Sequence, residues 1–156
     1  MNTYQFNQQL ADGEKGERKL DAYFAKWFTI TPATMDEQRR GIDRHFTRRS
    51  DGEHFTVEYK TDHTAGRTGN AFVETISVDT QSKAGWAITS RSQLLLYYVP
   101  GAGAIYVIPF PALRQALPTW QQRYPQRAIP NRGYHTHGIL VPLLEFEKIA
   151  QQILPL

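Results

Sequence analysis

Apolar side chains in residues 14–28 recur at helical spacing, with Leu20, Tyr23, Phe24, Trp27 and Phe28 at i, i+3, i+4, i+7 and i+8. The pattern predicts an amphipathic helix that starts near Asp12-Gly13 and stops before Pro32. At about 100° per residue, Glu17 lies at the margin of the apolar face, while Glu14 and Asp21 lie further round toward solvent. Past residue 40 the period becomes two. Residues 41–49 and 54–62 alternate as strands. In the second, Phe55, Val57 and Tyr59 share one face, and His54, Thr56, Glu58 and Lys60 share the other. In the first, Ile42 and Phe46 oppose Asp43, His45 and Thr47.

A Gly- and Thr-rich loop from Thr64 to Asn70 leads to a third predicted strand, Phe72 to Val78. Residues 93–99 and 104–109 make a strand pair around Pro100-Gly101-Ala102-Gly103. Leu94 to Val99 is the longest unbroken apolar run and suits a buried strand. Pro111 suits the first turn of a helix. Residues 125–138, with two prolines and two glycines, read as a loop. A short strand from Gly138 to Val141 and a helix from Pro142 to Ile153 close the chain. This order predicts one α/β domain over residues 1–156, a central β-sheet flanked by α-helices.

Composition supports a folded core: 40% of the 156 residues are hydrophobic and 12% aromatic. The absence of cysteine excludes disulfides, thiolate metal sites and cysteine nucleophiles. It fits a reducing compartment, and with no signal-peptide pattern at Met1 to Gln5 the expected location is cytoplasmic. No run approaches membrane-spanning length. The net charge of +3 is modest, but residues 39–49 hold five arginines and one acid. Arg44, Arg48 and Arg49 are therefore candidates for phosphate contact, with a charged strand edge as the alternative.

Chemistry concentrates at Asp43 and Glu58-Tyr59-Lys60. If Asp51-Gly52 is a two-residue hairpin turn, Asp43 falls opposite Lys60 and His45 opposite Glu58. Asp43 and Glu58 are then diagonal neighbours, with α-carbons about 7–8 Å apart. A longer loop would change that register. Two carboxylates so placed can converge on one divalent cation. Mg²⁺ needs only one or two carboxylates beside waters and a substrate phosphate. Lys60 points to the same side as Glu58 and can orient water or neutralise phosphate charge.

These residues resemble the PD-(D/E)XK nuclease superfamily, with a restriction-endonuclease-like core, and are closest in pattern to its Holliday-junction-resolvase-like branch. The resemblance covers roughly residues 12–80, with Ile42 where the family name has proline. It implies a metal-dependent DNA endonuclease, selective for junction or branched DNA if it follows that branch. Asp43, Glu58 and the Tyr59 backbone carbonyl would be metal ligands, for Mg²⁺ with Mn²⁺ as a substitute. Lys60 would be the catalytic lysine, and Glu17 would act near the metal. DNA is the implied partner, and a homodimer would supply the second cut of a duplex or junction. The alternative is a non-catalytic nucleic-acid-binding module that retains the fold.

Other residues stay open at this level. Glu74 is either an added acid at the site or half of a structural ion pair, since a buried carboxylate needs a partner. Lys83 is a candidate phosphate contact and Trp86 a candidate base-stacking ring, against a surface lysine and a core tryptophan. His135 and His137 lack a third ligand for zinc and read as loop histidines. His45 reads as a packed strand histidine. Ser90-Arg91-Ser92 has no nucleophile-elbow context, and Gly101 and Gly103 mark a turn.

Overall fold

A computed structural model describes the backbone of residues 3–156 and the side chains of residues 7–156. Helix α1 runs Thr3–Phe24. It ends four residues short of the predicted boundary because Phe28 already belongs to strand β1, Phe28–Pro32. The aromatic series still serves one core. Phe24 from the helix and Phe28 from the strand both pack on Phe46, with ring centroids 5.4 and 5.2 Å away. Trp27, between them, is left exposed. The β-branched Thr29, Ile30 and Thr31 favour extended backbone, which the helical period of the preceding residues concealed. A capping box of Thr34 and Glu37 starts the short helix α2, Met35–Arg39.

Strands β2 (Arg44–Arg48) and β3 (His54–Thr61) form the expected hairpin. Its register differs from the two-residue-turn model: Arg44 pairs with Val57 and Phe46 with Phe55. The Arg48 N–H bonds the Glu53 carbonyl, so four residues, Arg49 to Gly52, turn the chain. Gly52 takes a positive φ of 77° there. The shift is two residues, which preserves the alternation of faces.

Helix α3, Ala65–Thr68, occupies part of the predicted loop and leads to β4, Asn70–Val78. Two-residue β5 (Lys83–Ala84) and one-turn α4 (Trp86–Thr89) follow. Strands β6 (Leu94–Val99) and β7 (Ala104–Pro109) match expectation, and α5 spans Phe110–Arg123. Residues 125–138 are not a loop. They form β8 (Gln126–Asn131) and most of β9 (Tyr134–Pro142), joined at Arg132-Gly133. Pro130 does not prevent this because β8 is an edge strand, where a missing N–H is tolerated. The last helix, α6, stops at Ile149, and β10 (Gln152–Pro155) follows it.

The protein is mixed α/β. A six-stranded sheet runs β1-β2-β3-β6-β7-β10, and a four-stranded sheet runs β5-β4-β9-β8. The larger sheet is mixed: β3 and β6 are parallel and its other pairs antiparallel. The parallel crossover carries α3, β4, β5 and α4, so the third predicted strand leaves the main sheet and builds the second one. One core cluster joins α1 to one face of the large sheet through Leu20, Phe24, Phe46, Val57 and Tyr59. The other fills the space between the sheets and helices α5 and α6, around Leu95, Tyr97, Ile108, Trp120 and Phe146. No helix among the described residues is long and apolar enough to cross a membrane.

Close approach of α1 to β3 depends on Gly16. A Cβ there would lie 2.1 Å from Thr61 Oγ1 and 2.9 Å from Thr61 Cβ, whereas one at Gly13 meets nothing within 4 Å. Gly16→Ala is expected to destabilise the fold by about 1–3 kcal/mol through overpacking. Gly13→Ala should instead stabilise it by about 0.5–1 kcal/mol through helix propensity. Urea unfolding of the two variants checks the contrast; equal shifts would show that α1 is not held at Thr61.

Candidate functional site

Strand β3 carries its polar pair toward the space between the sheets, and Glu58 is only 4% exposed. Its Oε1 is 2.9 Å from Lys60 Nζ. Its Oε2 is buried and has no hydrogen-bond donor. The turn at Gly41, with φ of 78°, lies over that oxygen: a Cβ at Gly41 would sit 2.9 Å from Oε2 and 2.8 Å from both Cα and Oγ of Ser90. The Ser90 hydroxyl lies within hydrogen-bond distance of the Gly41 carbonyl, at 2.9 Å. Ser92 Oγ donates to the same carbonyl at 2.6 Å, and the Arg91 N–H bonds the Arg40 carbonyl at 2.8 Å. The Ser-Arg-Ser segment therefore staples the β1–β2 connection over Glu58, a role that its sequence did not signal.

Asp43 enters from just before β2. Arg44 pairs with Val57, yet the Asp43 N–H also bonds the Val57 carbonyl at 2.9 Å. Two residues thus stand against one, a bulge-like arrangement that re-aims a side chain. Asp43 Oδ2 accepts from the Tyr59 N–H at 2.7 Å, which sets this carboxylate one residue from Glu58. Thr56 and Asp62 bond toward the β6 side, through the Gln93 N–H and the Tyr98 carbonyl. Alternation then directs the backbone of Val57 and Tyr59, including the Tyr59 carbonyl, to the Asp43 side.

Glu17 reaches the same edge from α1. Arg44 organises this flank: its guanidinium bonds Asp21 at 3.1 Å, Glu17 at 3.3 Å and the Asp43 carbonyl at 2.9 Å. It also lies over the Tyr59 ring, 5.4 Å from the centroid, and the Tyr59 hydroxyl donates to Asp21 at 2.8 Å. Asp21 therefore faces the sheet and not solvent, a correction to the helix-phase expectation. Arg44 serves this internal clamp. Arg48 is bound to Asp51 and Glu53 at the hairpin loop, and Arg49 Nε to the Ala25 carbonyl at 3.3 Å. Both stand at the loop end of the hairpin, away from Glu58. His45 bonds Glu37 at 2.9 Å and His54 at 3.1 Å, bracing α2 against the hairpin.

Glu74 on β4 completes the acidic set. Burial raises its pKa, opposed chiefly by Lys60 and the Trp86 backbone N–H, and the charge of Glu58 raises it further. Exposed Lys83 is close enough to lower it. Burial also raises Glu58, opposed by Lys60 and by the nearby Ser90 hydroxyl, and Asp43 raises it more. Glu17 is raised by burial and then by Asp43, with Arg44 opposing. Burial works against charge on Lys60, but Glu58, Asp43 and Glu74 overcome it and hold its pKa above the ordinary value. Lys60 is thus an ammonium among carboxylates that share too little positive charge.

Among the described residues, no group of three or more His, Asp or Glu side chains forms a protein-only metal cage. Mg²⁺ does not require one. Two nearby carboxylates, one with an oxygen lacking any donor, and a backbone carbonyl directed to the same edge suit a hard cation. His135 and His137 are apart from this site, gathered at Asp79, which accepts from the His135 N–H at 2.9 Å and contacts His137 Nε2 at 3.1 Å. No protein-family model matches the chain, and no match is found among curated proteins or solved structures.

The raised carboxylates give a signed pH dependence. A native state that holds protons more tightly than the unfolded chain loses stability as pH rises through the interval between the two pKa values. For Glu58 and Glu74 that interval starts near the ordinary 4.5 and extends upward. Glu37 and Asp51 are lowered, by a backbone N–H first in each case, and lose their contribution only at more acidic pH. Stability should therefore rise from neutral pH toward the ordinary carboxylate range and fall below it. Urea midpoints across a pH series check this, and Glu58→Gln should flatten the neutral-to-acid limb.

Proposed function

We propose that the protein is a metal-dependent DNA endonuclease of the PD-(D/E)XK type, with a restriction-endonuclease-like core. The observation that carries this reading is the gathering of Asp43, Glu58 and Lys60 at one edge of the β2–β3 hairpin, with a buried Glu58 oxygen left without a donor. The order of elements supports it: a helix bearing Glu17, then Asp43 at the entry to β2, then the Glu-x-Lys strand, in a mixed sheet flanked by helices.

Asp43, Glu58 and the Tyr59 carbonyl would hold Mg²⁺ or Mn²⁺. When bound, such an ion lowers the pKa of its water and polarises a phosphoryl oxygen. The protein's own groups supply the rest. Lys60, kept protonated by three carboxylates, donates hydrogen bonds to the attacking water or to a non-bridging phosphate oxygen. Glu17 and Asp21, fixed by Arg44, hold α1 over the Asp43 edge. The Gly41 turn and Ser90 exclude solvent from the inner side of Glu58, which strengthens its interaction with any cation. A homodimer would let two such sites cut two strands.

The test is cleavage of supercoiled, single-stranded and four-way-junction DNA with Mg²⁺, Mn²⁺ or EDTA. Wild-type protein should nick only with metal, and Asp43→Asn and Lys60→Ala should each lose at least about 100-fold in rate. In parallel, Mg²⁺ should raise the melting temperature of wild type, and Asp43→Asn should abolish the shift. Metal-independent nicking, or equal nicking by Lys60→Ala, would sink the reading. DNA binding without cleavage would favour the non-catalytic module.

A further inference from the structure

Lys60 faces two spaces. On one side it meets Glu58; on the other it lines a cleft of about 730 Å³ between residues 9–13 of α1, the α3 segment and the β8–β9 hairpin. The cleft wall includes Arg67 of α3 and Arg127 of β8, both exposed. No carboxylate among the described residues forms a salt bridge with either. Two carboxylates also line the cleft: Asp12, which accepts from Gln8 Nε2 at 3.0 Å, and Asp62, which is occupied internally by the Thr64 and Ala65 N–H groups, both at 2.9 Å, and by the Tyr97 hydroxyl at 2.5 Å. Lys60 is answered by Glu58, while Arg67 and Arg127 stand at the cleft wall outside any ion pair among the described residues.

The cleft also presents an aromatic wall. Trp86 is half-buried, anchored from behind by Phe110 and Tyr97, with ring centroids 6.4 Å away in each case. Lys60 Nζ lies over its ring, 5.8 Å from the centroid. A recess of this size suits a ligand no bulkier than one or two nucleotides. Duplex DNA is read by elements that project into its grooves. A recessed pocket with an aromatic wall and cations at the rim instead suits an unstacked base and its flanking phosphates.

We infer that this cleft seats an unpaired stretch of DNA strand leading to the Glu58–Lys60 site, with Arg67 and Arg127 on its phosphates and Trp86 against a base. The inference rests on the nuclease reading for what happens to that strand, but the binding itself is independent of cleavage. Neither arginine was singled out by sequence, because α3 and β8 lie about 60 residues apart and meet only through the second sheet.

The test is fluorescence-anisotropy binding of a labelled oligothymidylate and of a blunt duplex of equal length, in EDTA, by wild type and the Arg67→Ala/Arg127→Ala double variant. Both substitutions are at exposed positions, and circular dichroism confirms folding. The wild type should prefer the single strand. The double variant should bind that strand about 10-fold more weakly, with the slope of log affinity against log salt reduced by about 1.4, two contacts at roughly 0.7 each. Unchanged single-strand affinity, or equal losses on strand and duplex, would overturn the cleft whether or not the protein cuts DNA. The expected losses in a protein that never cuts would uphold the cleft and remove the nuclease reading.

Discussion

The buried charge of Glu58 is the constraint around which this molecule is arranged. A carboxylate at 4% exposure is costly unless it is paired and hydrogen-bonded. Lys60 answers one of its oxygens, and no donor lies within hydrogen-bond distance of the other. The β1–β2 connection, tied down by Ser90 and Ser92, closes over the unanswered oxygen when solvation would have been cheaper. Asp43 and Glu74 add further negative charge nearby. A fold selected for stability alone would place an apolar side chain there, since breaking even with a buried ion pair is difficult. The proposed metal-binding reading gives that Glu58 oxygen a use, as a ligand to a divalent cation.

The second organising element is Arg44. It donates to two carboxylates from α1, stacks on Tyr59 and donates to the Asp43 carbonyl. These contacts hold helix and hairpin in one relative position, and Gly16 allows the helix close enough for them to form. An arginine that looked suited to phosphate is engaged in these internal contacts, which bring Glu17 to the Asp43 edge. The cationic surface next to the site belongs to other elements, α3 and β8.

Much of the hairpin was legible. Alternation over residues 54–62 separates Val57 and Tyr59 from Glu58 and Lys60, and that separation survives the longer turn because the register moved by two residues. Glu17 on the helix margin was also legible, since phase alone sets it near the apolar stripe. Asp21 was not, because phase gives an angle and not the partner that draws a side chain inward. The β1 strand hid behind an aromatic run that fits a helix as well as it fits a helix followed by a strand. The β8–β9 hairpin hid behind prolines that only an edge position excuses.

Local order, then, came from the chain itself: which segments alternate, which face carries the acids, and that Glu58 and Lys60 share a side. Those properties depend on backbone geometry within a few residues. Only the tertiary structure decided that β4 leaves the main sheet to found a second one, that Gly41 and Ser90 close over Glu58, and that Arg67 and Arg127 meet across one cleft. Each of these joins residues far apart in the chain. Their proximity follows from how the sheets and helices pack, which local periodicity does not encode.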